Sequence, residues 1–78
     1  MYYKITITPH NHPNKHKSTI CQANDDELSL VMKNITTKLL AAYEGIVTKT
    51  EHTCTPNTIS MYNGDDVLLI TIHVEWVD

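Results

Sequence analysis

Arginine and phenylalanine are absent from this sequence, and glycine and cysteine occur only twice each. Without arginine the chain lacks the planar, bidentate donor that clamps phosphate and reads guanine, which argues against a phosphate-clamping or base-reading protein. The two glycines leave no Walker-type loop and no dinucleotide-binding fingerprint, and Gly45 and Gly64 are accounted for by a helix end and a turn. No apolar run approaches the ~18 residues that a membrane span needs, so no membrane association is expected. Met1-Tyr2-Tyr3-Lys4 opens on a strand-like alternation and not on a charged and then apolar leader. The expectation is a cytoplasmic protein in which Cys21 and Cys54 are free thiols in or near the core.

What is present fits one small folded unit. A chain of 78 residues can build a single hydrophobic core, and 41 % apolar with 19 % charged residues is the composition of a folded domain. Threonine occupies eleven positions, spread through the stretches that read as strands. The net charge of −3 is unevenly placed: residues 1–24 hold Lys4, Lys15 and Lys17 and no acid, whereas residues 25–78 hold three lysines against nine acids. A basic front and an acidic remainder suit solvated surface charge, with an anion-facing loop as the sharper reading.

Residues 2–8 alternate, placing Tyr3, Ile5 and Ile7 on one face, and predict a half-buried strand. Pro9 to Lys15 is turn chemistry, and residues 16–23 return as a second strand. Asn24 followed by Asp25, Asp26 and Glu27 is a helix start: an N-cap side chain, a glutamate at the third position reaching back, and acids at the positive end of the helix dipole. Leu28, Val31, Met32, Ile35, Leu39, Ala42 and Tyr43 then recur at helical spacing, with Gly45 as the expected C-cap. Strands are predicted over 46–54, 58–62 and 67–77, with a turn at Thr55-Pro56-Asn57. A four-residue loop, 63–66, sets Met61 opposite Leu68 and Ile59 opposite Ile70, which keeps acids off the buried face. The inward set is then Ile59, Met61, Leu68, Ile70, Ile72, Val74 and Trp76, with Trp76 buried against the helix. The expected fold is α+β, a single mostly antiparallel sheet in the order ββαβββ with one long amphipathic helix on one face, spanning residues 1–78 as one domain.

Little in the sequence points to chemistry. His10, His12 and His16 share a loop, and His52 with Cys54 is expected at the same end of the sheet; imidazole and thiolate suit zinc, but the His-x-His-x3-His spacing matches no compact site, so no metal or other cofactor is expected. His52 and Cys54 share a strand face without an orienting acid or an oxyanion hole, so no catalytic residues are expected and the chain reads as a non-enzyme. Tyr2, Lys4, Thr6 and Thr8 form a face like that of single-strand platforms, and the basic His/Lys hairpin makes a nucleic-acid accessory protein the alternative reading, with a His/Cys metal-binding domain a further one.

The outward side of the final hairpin carries neighbouring apolar residues. Tyr62, Val67 and Leu69, with His73 further along, form a candidate partner-binding patch, and Lys15 and Lys17 a second candidate edge. The order of elements and the aromatic closing strand, Val74-Glu75-Trp76-Val77-Asp78, resemble the very small inhibitor proteins that bacteriophages and other mobile elements encode, anti-CRISPR proteins among them. The resemblance covers the architecture of nearly the whole chain and transfers no site residues. It implies a stoichiometric inhibitor of a host defence complex, acting through surface contacts on a host protein. The hairpin patch is expected to join one partner, either such a host protein or a second copy of this chain as a homodimer.

Overall fold

In the computed structural model, which describes residues 1–54 and 57–77 and at Cys54 the backbone alone, five strands and one α-helix follow in the order ββαβββ. They are β1 (Tyr2–Pro9), β2 (Lys17–Gln22), α1 (Asp25–Ala42), β3 (Lys49–Cys54), β4 (Asn57–Tyr62) and β5 (Leu68–Trp76), with a short 3-10 turn at Pro13–Lys15. The predicted turn residues Thr55 and Pro56 and the terminal Asp78 lie outside the described residues. The strands make one sheet in the order β2-β1-β5-β4-β3, antiparallel throughout. The longest strand, β5, is thus central, where both of its edges are paired and its alternate apolar residues can be covered.

Local sequence explains why the helix starts where it does. The Asn24 side chain accepts from the Glu27 backbone N–H at 2.8 Å, and the Glu27 carboxylate accepts from the Asn24 N–H at 3.2 Å, a complete capping box. The helix ends at Tyr43 as C-cap, whose N–H donates to the Leu39 carbonyl; Gly45, expected as the cap, instead supplies a left-handed residue (φ 80°) in the turn that follows. That turn absorbs Ile46 and Val47, so β3 begins at Lys49, later than expected.

The core lies between α1 and one face of the sheet. Leu28 and Met32 of the helix meet Ile5 of β1, Ile59 and Met61 of β4, and Ile70, Ile72 and Val74 of β5, with Ala23 closing the link between β2 and α1. Met61 and Ile72 are fully enclosed. Each side chain of this size contributes about 1.5–3 kcal/mol on burial, so this cluster dominates the stability of the domain.

The last hairpin departs from expectation in two ways. Met61 pairs with Ile70 and Ile59 with Ile72, two residues beyond the expected partners, so the faces of Ile70, Ile72 and Val74 are unchanged. Between Met61 and Tyr62 the ladder then slips by one, because Tyr62 pairs with Leu68 and leaves Leu69 as the extra residue of a β-bulge. A one-residue slip exchanges faces. Leu69 therefore packs against the core, while Leu68, expected inward, sits beside Tyr62. The loop itself is built on Asn63, whose side-chain oxygen accepts from the N–H groups of Asp65 (2.8 Å) and Val67 (3.0 Å), with Asp66 left-handed at φ 60°.

Trp76 is also misplaced by the alternation. It lies on the core face but is 65 % exposed. Its partner on β1 is Tyr3, and on the other side the described pairing of β4 with β5 reaches only from Tyr62 to Asn57, opposite Val74. The helix begins at Asp25, which accepts a 3.1 Å hydrogen bond from the Tyr3 hydroxyl, so Trp76 stands where the helix has only started to cover the sheet.

Candidate functional site

The strand directions divide the molecule into two ends. One carries the β1–β2 loop, the β4–β5 loop and the C-terminal end of α1; the other carries Met1, Val77 and the start of α1. β1 and β3 run in opposite directions, so His10, His12 and His16 lie at the first end and the close of β3 at the second. The expectation that His52 and Cys54 join the loop histidines is corrected by this topology. Among the described residues no group of three His, Cys, Asp or Glu side chains could hold a metal ion. The Cys54 side chain lies outside the described residues.

The basic loop is exposed throughout. Lys15 ends the 3-10 turn with its N–H on the His12 carbonyl (2.9 Å), His16 sits with Nδ1 3.1 Å from the Pro13 carbonyl, and Lys17 opens β2 at the edge of the sheet. The hairpin residues do not form one apolar surface. Val67 is exposed in the loop; Tyr62 is half-buried beneath the Lys49 ammonium, 4.8 Å above its ring. Lys49 also reaches Asp66 at 3.2 Å and Glu51 at 3.3 Å, and these carboxylates, Asp66 foremost, raise its pKa above the usual lysine value. His73 lies on the open face within hydrogen-bonding distance of Thr58 Oγ1 (3.1 Å) and 3.5 Å from Glu75. Leu69 is on the other side of the sheet, against the core.

The open face is polar. Register places Ser18, Thr6, His73, Thr58 and Thr53 in one row across all five strands, and Lys4 between Ile20 and Glu75 in another. The lysine that could contact a nucleic-acid backbone here thus has a carboxylate beside it.

The residues that sequence reasoning missed are at the terminal end. Met1, Tyr2, Trp76 and Val77 are all exposed, and Val77 donates its N–H to the Tyr2 carbonyl at 3.0 Å, so β1 and β5 hold them at one end of the sheet, Trp76 on the core face and Tyr2 on the open face. Tyr3 joins this group from the core face: its partial burial, and then its hydrogen bond to Asp25, raise its pKa above the usual tyrosine value. The missed signal was cover: among the described residues the pairing of β4 with β5 ends at Asn57 opposite Val74, and the alternation of β5 alone does not contain it.

Two clefts flank the helix. The first, about 310 Å³, lies between α1 and β3–β4, with Lys33, Thr36, His52 and Asn57 among its walls. Thr36 donates its hydroxyl to the Met32 carbonyl, and His52 Nε2 is 2.7 Å from Asn57 Oδ1. Among the described residues no carboxylate lines this cleft. The second, about 440 Å³, lies between α1 and β1–β2 and is mostly apolar, with Ile5, Ile7, Cys21, Val31 and Ile35 in its walls.

Compared with protein-family models, with curated proteins and with solved structures, the chain matches none.

Proposed function

We propose that the chain is a non-enzymatic protein-binding module, a small inhibitor of the phage or mobile-element kind that acts by occupying a surface of a host defence complex. The observation that carries this reading is the exposed Trp76, set with Met1, Tyr2 and Val77 at one end of the sheet. Single apolar residues in water are ordinary, but an exposed Trp with a half-buried Tyr3 paired beside it on the same face is the composition of an interface hot spot. A rigid strand pair holds both, so little side-chain and backbone freedom is lost on binding. The basic loop with Lys15 and Lys17 lies at the opposite end and would act on encounter rates more than on the final contact.

The test uses the intact chain as bait in host lysate, with Trp76→Ala alongside. Because Trp76 is exposed, the variant should keep the wild-type circular dichroism spectrum and lose the captured partner. Retention of every partner by a folded Trp76→Ala protein removes this end of the sheet from the interface.

A further inference from the structure

We infer that the free edge of β2 is a self-association site, through which a second copy of the chain pairs antiparallel to give one continuous sheet. The two edges of the sheet differ. On β3 the open face presents Lys49 and Glu51, joined to each other at 3.3 Å, and charges of this kind guard an edge against strand addition. On β2, Ser18 to Gln22 carry no charge and no proline.

The hydrogen-bonding sense of β2 is settled by its end. Ala23 donates its N–H to the Met1 carbonyl at 3.0 Å, and successive residues of a strand alternate in the edge to which they turn these groups. Cys21, Thr19 and Lys17 therefore bond to β1, while Ser18, Ile20 and Gln22 turn their N–H and C=O groups to the free edge. Two copies related by a two-fold axis through a continuous antiparallel sheet must present the same face, so a residue of β2 must face itself. Ile20 satisfies this: its backbone points outward, its side chain is 59 % exposed, and pairing with Ile20 of the second copy covers both.

Charge selects the antiparallel second copy over a parallel one. Lys15 and Lys17 precede the centre of this pairing and Asp25, Asp26 and Glu27 follow it, so each copy lays its basic end against the acidic helix start of the other. Parallel pairing would set the basic ends together. On the helix side, Thr19 and Cys21 are small and leave the apolar 440 Å³ cleft open at this edge, where the second β2 extends its floor. This association is independent of the partner contact proposed for Trp76.

Sedimentation across a concentration series, with amide hydrogen exchange followed by NMR, tests the site. The expected result is a monomer–dimer equilibrium in which protection of the Ile20 amide rises with concentration. Ile20→Glu keeps a favourable neighbour in Lys4 on its own sheet but opposes two carboxylates at the axis, so its particle mass should halve relative to the wild-type dimer. A wild-type chain that stays monomeric at every concentration overturns the proposal. So does a dimer with a freely exchanging Ile20 amide, or one that survives in folded Ile20→Glu. Should Ile20→Glu fail to fold, the exchange of the wild-type amide decides.

Discussion

Along the core face of β5, Ile70, Ile72 and Val74 are 3, 0 and 6 % exposed, and Trp76, next on the same face, is 65 % exposed. The four share one strand, one direction and one alternation. What separates them is cover: the first three lie between paired strands and under α1, whereas Trp76 has a described neighbour only on β1, at the level where α1 begins. Alternation fixes which face a side chain takes; burial depends on what the rest of the chain lays over that face. A large aromatic left uncovered on such a frame is available to a partner, which is why the least buried part of the strand carries the functional proposal.

The sharpest way to break this comparison is to truncate both sides of it. Ile72→Ala removes three buried carbons from the closed middle of the sheet and should destabilise the domain by about 2–5 kcal/mol, enough to unfold much of so small a protein. Trp76→Ala, two turns of the pleat further on, should change stability by no more than about 0.5 kcal/mol, as surface substitutions do. Denaturant unfolding of the two variants measures the difference. Trp76 is the single tryptophan, so its emission reports the same thing without mutation and should be water-like in the free protein. Equal destabilisation by the two substitutions would mean that the end of the sheet is as closed as its middle.

The second test addresses the bulge. Had the hairpin run without it, Leu69 would point away from the helix and Leu69→Lys would be harmless. With Leu69 packed against the core, the lysine must carry its ammonium out of the apolar cluster to water, and a loss of about 1–3 kcal/mol is expected. Thermal unfolding reads it. A neutral Leu69→Lys would place the residue back on the open face and restore the hairpin patch as one surface.

How much of this was legible in the sequence follows from which interactions are local. The capping box at Asn24 and Glu27, the helical stripe from Leu28 to Tyr43 and the strand alternation are all written within a few residues, and the ββαβββ order and the covering helix could be read from them. The bulge at Leu69 is not local in that sense. It arises because the Asn63 side chain closes a loop reaching Val67, one residue longer than expected, while Ile59 and Met61 still seek apolar partners. Trp76 fails for a related reason: its exposure depends on where α1 begins to cover the sheet, which its own alternation does not contain. Which end of the sheet the loop histidines and the close of β3 occupy is not local either: only the placement of β5 between β1 and β4 separates them.

The border between the covered and uncovered parts of the sheet passes through Tyr3, and its titration sharpens the comparison most finely. Its ring is half-buried beside the core, which disfavours the phenolate, and its hydroxyl donates to Asp25, whose carboxylate disfavours it further. Both effects raise the pKa above the tyrosine value of about 10. A group whose pKa is raised on folding adds stability that is present in full below the unfolded-state pKa and is lost as pH rises through the folded-state value. The effect therefore falls wholly on the alkaline side, above about pH 10, and leaves neutral pH untouched. The chain has four tyrosines, so the phenolate absorbance of Tyr3→Phe subtracted from that of wild type isolates this one. The difference curve should have its midpoint above the ordinary tyrosine range. A midpoint at or below that range would mean that the Tyr3–Asp25 bond does not hold in solution and that the helix start is open at this end, enlarging the uncovered region from Trp76 to Tyr3.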